Sequence, residues 1–161
     1  MFALMIIICV LMIGCTQNDN ETEPKSTPWQ GYTEINVWIG YPEIIYDSGT
    51  AVFTIKSNLP EGMLLDFLLD DYIEYSEVQR VMSNSEGTFI SDMFPSEGTI
   101  KEAPYKLTIT SSSWIHQSSD VKSIIGGRGQ YLRGDLVFNR SNRDGVYGNY
   151  YIEKEFVIII E

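Results

Sequence analysis

From about Trp29 to the C-terminal residue, apolar side chains recur at every second position. Ile35, Val37 and Ile39 alternate with Glu34, Asn36 and Trp38, and Ala51, Phe53 and Ile55 alternate with Val52, Thr54 and Lys56. Leu65, Phe67 and Leu69 are set against Leu64, Asp66, Leu68 and Asp70, and Tyr105, Leu107 and Ile109 against Lys106, Thr108 and Thr110. Ile152, Phe156, Ile158 and Ile160 face away from Glu153, Glu155 and Glu161. A period of two sends successive side chains to opposite faces of a strand, so each run predicts a strand with one face on a core. Shorter runs at 77–82, 88–91 and 136–138 predict three more.

Turn signals separate the runs: Asp47-Ser48-Gly49, Asn58-Leu59-Pro60-Glu61-Gly62, Ser85-Glu86-Gly87, Ser96-Glu97-Gly98 and Asn142-Arg143-Asp144-Gly145. Such residues tolerate the backbone angles of tight turns. One stretch breaks the pattern. Ser118-Ser119-Asp120 offers a helix cap, Val121, Ile124 and Ile125 follow at helical spacing, and Gly126 provides a stop. That predicts one helix of about two turns. About seven or eight short strands with turns at these intervals indicate an all-β fold, an immunoglobulin-like β-sandwich over residues 29–161, with one short helix near residues 118–125.

The first part of the chain has a different composition. Residues 1–14 carry no charge, and residues 16–28 contain almost nothing apolar. A short apolar run closed by a small residue reads as a secretory signal, and it falls short of the roughly 20 residues that span a bilayer. No Lys or Arg precedes the run, which departs from the usual signal. Leu11-Met12-Ile13-Gly14-Cys15 resembles a bacterial lipobox, which implies cleavage before Cys15 and lipidation of its thiol. The expected organisation is a signal at 1–14, a tether at 15–28 rich in Asn, Glu, Thr and Pro, and the folded domain beyond it. Two or more acyl chains hold a protein durably at a membrane, so the expected location is the extracytoplasmic face of the cell membrane. The chain has two cysteines, Cys9 and Cys15, so the expected mature domain has no disulfide and no thiolate metal site.

The formal net charge of −11 argues against nucleic acid and anionic lipid as partners of the domain. The charge is uneven. Lys122, Arg128, Arg133, Arg140 and Arg143 lie within one stretch, and turns on either side would let the arginines form a basic face for anionic wall polymer. The bland alternative pairs them with the domain's own carboxylates. Chemistry-bearing constellations are scarce. His116 is the only histidine; Ser111, Ser112 and Ser113 lie too close to it along one strand or turn to build a triad, and no nucleophile elbow surrounds any serine. Asp66, Asp70, Asp71, Glu74 and Glu77 lack the register of a calcium loop and read as a solvated sheet edge. Gly126-Gly127-Arg128-Gly129 closes a helix instead of opening one, so it reads as a cap and turn, not a phosphate loop. Ten Tyr and three Trp leave a sugar platform open, with Trp38 and Tyr46 near outward or loop positions and Tyr147, Tyr150 and Tyr151 opening the last strand.

A family resemblance rests on several of these elements. Ser57-Asn58-Leu59-Pro60-Glu61-Gly62 with the strand 64–69, then Glu86-Gly87-Thr88-Phe89, then Pro104-Tyr105-Lys106-Leu107-Thr108-Ile109, resemble successive elements of small Ig-like extracytoplasmic domains of Gram-positive bacteria. Gln117, Val121, Ile125-Gly126, Gly129, Leu132 and Gly134 continue the likeness. Met63, where Thr is common, and the missing glycine before Tyr105 depart from it. The resemblance implies fold and location, and it carries no catalytic residues and no cofactor. The reading is a lipid-anchored binding or scaffolding module of the cell envelope without enzymatic activity. Its partners would be the membrane through Cys15 and wall polymer or another envelope protein, with Arg128, Arg133, Arg140, Arg143 and Trp38 as candidate contacts. A carbohydrate-recognition module for wall glycan is the alternative, and a secreted hydrolase a more distant one.

Overall fold

The alternating runs build two antiparallel sheets in a computed structural model that describes residues 32–140 and 149–161. The leader 1–14, Cys15, the tether 15–28, Tyr147 and Arg143 lie outside the described residues. All that follows concerns the unit Gly31–Glu161. The described residues form ten strands: β1 Ile35–Asn36, β2 Glu43–Asp47, β3 Thr50–Lys56, β4 Leu64–Asp70, β5 Ser76–Met82, β6 Thr88–Ile90, β7 Ala103–Ser111, β8 Leu132–Arg133, β9 Val137–Arg140 and β10 Asn149–Ile160, with one helix, α1 Ser119–Ile125. Strand dominates with a single short helix, so the all-β class holds.

The larger sheet runs β5-β4-β7-β10-β9 and the smaller β2-β3-β6, while β1 and β8 form a parallel pair. The chain changes sheet between β3 and β4, between β5 and β6, and between β6 and β7. Ala51, Phe53 and Ile55 of β3, Leu65, Phe67 and Leu69 of β4, and Leu107 and Ile109 of β7 are all fully buried in one cluster, as the period of two requires. The Phe67 and Phe89 rings, one from each sheet, lie 6.4 Å apart, and Phe53 meets Phe94 edge-on at 5.5 Å. Removing one such ring from water stabilises the fold by about 1.5–3 kcal/mol.

Two elements depart from the expectation. β2 carries no clean alternation, because Ile44 and Ile45 are adjacent and only Ile44 packs on the core, while Ile45 is exposed. It is found through its partner β3, to which Ser48-Gly49 joins it as a two-residue hairpin turn. In α1, Ser118 caps the helix by accepting a bond from the Val121 N–H, and Gly126 ends it, as expected. Val121 and Ile125 are buried, but Ile124 is exposed, since so short a helix turns only its i, i+4 pair to the core.

Candidate functional site

A cleft lies where β7 meets the first residues of β10. β7 ends at Ser111 where β10 begins, and Thr110, Ser111, Ser112, Ser113, Trp114, Asn149, Tyr150 and Tyr151 line a hollow of about 250 Å³. Each wall is held from behind. The Ser111 Oγ accepts the Ile152 N–H at 2.9 Å, which leaves its own O–H to be donated. Ser112 is buried, and its hydroxyl donates to Asp66 Oδ1 at 2.7 Å. Beyond the end of β7 the buried Gln117 takes over the ladder: its Oε1 accepts the Leu64 N–H at 2.9 Å and its Nε2 donates to the Leu64 carbonyl at 2.8 Å. The same Nε2 donates to the Ser112 carbonyl at 3.2 Å, which fixes the turn that presents Trp114.

The aromatic side of the cleft is also braced. Lys122 places its ammonium 5.7 Å from the centre of the Trp114 ring and donates to the Ile115 carbonyl, so one ring is polarised by a cation. Phe138 of β9 packs on Tyr151 of β10 with centroids 5.5 Å apart, following the register that pairs the two residues. The Tyr150 N–H donates to the Arg128 carbonyl at 3.0 Å. Ring faces beside hydroxyl and amide groups are the chemistry that holds a sugar: stacked C–H surface and directed hydrogen bonds.

The candidate contacts distribute unevenly around it. Arg128 bonds Tyr150 through its backbone, and Arg140 pairs with Asn149 in the β9–β10 ladder, so both positions border the cleft's β10 wall. Arg133 pairs with Glu34 at 2.8 Å and donates to the carbonyls of Gln130 and Leu132. Trp38 is exposed but does not line the cleft; its ring lies over Gly40, and its N–H is taken by the Asn58 side chain. Trp114 was the residue that sequence reasoning passed over.

Other polar groups are placed as follows. His116 is exposed and its N–H donates to the Ser113 carbonyl. Asp71 Oδ1 accepts the N–H groups of Ile73, Glu74 and Tyr75, all at 2.9 Å, which lowers its pKa from the ordinary value. Burial and the neighbouring Glu77 carboxylate push the Tyr75 hydroxyl up. Among the described residues no three His, Cys, Asp or Glu side chains are grouped to hold a metal ion, and no helix is long and apolar enough to cross a membrane. Comparison with protein-family models, curated proteins and solved structures finds no match to this chain.

Proposed function

We propose that this chain is a lipid-anchored, extracytoplasmic binding module of immunoglobulin-like fold, and that it takes wall glycan in the cleft between Trp114 and Tyr151. The fold part of this reading is supported by strand order. With β2, β3 and β6 in one sheet and β5, β4, β7 and β10 in the other, the connectivity follows the A-B-E and C′-C-F-G order of immunoglobulin-like sandwiches. The elements after β7, from α1 to β9, then form an insertion before the last strand. The anchoring part rests on the apolar leader and Gly14-Cys15.

The observation that carries the ligand class is the cleft itself, with three aromatic residues beside Thr110, Ser111, Ser113 and Asn149. Binding is favoured over turnover because the buried Ser112 hydroxyl is given to Asp66, not to His116. The test is co-sedimentation of the full chain with purified wall glycan, for the wild type and for Trp114→Ala and Tyr151→Ala. At least a tenfold loss of binding with unchanged melting temperature is expected. Equal binding by both variants removes the cleft from the proposal, and Cys15→Ala protein that is still processed and membrane-held removes the anchor.

A further inference from the structure

The last strand pairs with a different neighbour along each part of its length. Residues 149–152 of β10 pair with β9, whereas 153–160 pair, among the described residues, with β7 alone. Two bonds show which groups face away from β7: the Glu153 N–H donates to the Leu136 carbonyl, and the Tyr41 hydroxyl donates to the Val157 carbonyl. Backbone groups alternate along a strand, so the N–H groups of Glu155, Val157 and Ile159 point out of the same edge. The side chains there are open, with Val157 65% and Ile159 62% exposed and Tyr41 at 67% beside them. Such an edge is a template for another strand, and folds usually block it. Here two described side chains meet the edge: Lys154 lies over the Phe156 ring at 5.6 Å, and Tyr41 takes the Val157 carbonyl through its hydroxyl while leaving the outward N–H groups unbonded.

We infer that the edge of β10 from Glu155 to Ile159 accepts an extended, basic segment of another polypeptide by strand addition. The backbone supplies the hydrogen bonds, and the side chains beside it set the preference. Val157 and Ile159 would lie next to branched apolar residues, and Glu161, with Glu155 sharing its carboxylate between Lys106 at 3.5 Å and the newcomer, next to Lys or Arg. Charge decides between a foreign segment and a second copy. A second copy would bring another chain of net charge −11 and another Glu155 and Glu161 to the same edge. A basic segment is drawn in by the same field. The site does not use the Trp114 cleft, so it stands apart from the glycan reading.

The test titrates the full chain with two blocked octapeptides, one of alternating Lys and Val and one of alternating Glu and Val, while following amide hydrogen exchange. In the free chain the Val157 and Ile159 amides should exchange much faster than those of Phe156 and Ile158. The Lys–Val peptide should slow them at least tenfold and bind at least tenfold tighter than the Glu–Val peptide, with affinity falling as salt rises. Ile159→Pro, which removes an outward N–H without touching the β7 ladder, should abolish the effect, and Glu155→Lys should reverse the peptide preference in a chain with all its backbone donors intact. Equal binding of the two peptides, or none, overturns the proposal. So does protection of Val157 and Ile159 in the free chain, or self-association that strengthens with salt.

Discussion

Gly87 lies hard against Ser57: a Cβ at Gly87 would collide with the Ser57 carbonyl oxygen, while the Gly87 carbonyl accepts both the N–H and the hydroxyl of Ser57 at 3.0 Å. The two turns flanking β6 and β4 are thereby locked together, and the Ser57 Oγ also accepts the Leu59 N–H at 3.1 Å. Those turns belong to two of the segments on which the family resemblance rests.

Gly87→Ala should therefore cost more than backbone strain alone. Gly87 sits at φ 71° and Gly98 at φ 85°, so alanine at either pays a left-handed penalty of about 1–2 kcal/mol. Nothing lies within 4 Å of a Cβ at Gly98, however. Urea unfolding should place Gly87→Ala at least about 2 kcal/mol below Gly98→Ala, since the chain must move to relieve the contact. Equal losses would show that the close approach carries no energy.

The Asp66 carboxylate answers two donors of different character. Arg80 Nε reaches Oδ1 at 2.7 Å and its Nη2 reaches Oδ2 at 3.3 Å, across the β4–β5 register. That pair is solvent-facing, with the Arg80 side chain 46% exposed, so Arg80→Ala should cost about 0–1 kcal/mol. Asp66→Ala should cost about 1–3 kcal/mol, because the buried Ser112 hydroxyl loses its acceptor. The double variant Asp66→Ala, Ser112→Ala should recover part of the loss in denaturant unfolding. If it recovers none, the cost arises elsewhere.

Most of the sheet framework was legible because one face of each central strand is dry. Phe53, Leu65, Phe67, Leu107 and Ile158 sit where alternation puts them, and Ser118 and Gly126 bracket the helix as their chemistry dictates. β2 escaped because an edge strand with adjacent isoleucines satisfies only half a period. The cleft was only partly legible: Tyr150 and Tyr151 belong to a visible strand, but Trp114 stands in a turn outside every periodic run. It meets them through the long-range antiparallel pairing of β7 with β10, which no local pattern encodes. Arg133 follows the alternative of pairing with the domain's own carboxylates. The parallel pairing of β1 with β8 brings Glu34 beside it.

Acid should weaken the fold through two carboxylates on the β4–β5 hairpin. The bond from the Ile73 N–H, then that from Tyr75, holds Asp71 below its ordinary value of 3.8. Burial works to raise Glu77, but hydrogen bonds from the Gln79 amide, the Ser96 N–H and the Tyr75 hydroxyl outweigh it and leave the group below 4.5. A lowered native pKa means that the unfolded chain takes up protons first as pH falls. The stabilisation is thus fully present above about pH 4.5 and is lost as pH drops through the native values. Asp71→Asn and Glu77→Gln keep an acceptor oxygen without a titrating group, so their unfolding midpoints should fall less than the wild type's between pH 6 and pH 3, roughly the span in which carboxylates titrate. The pair combined should flatten this limb further, as the two groups titrate separately. An acid limb as steep in the double variant as in the wild type would assign acid sensitivity to other carboxylates.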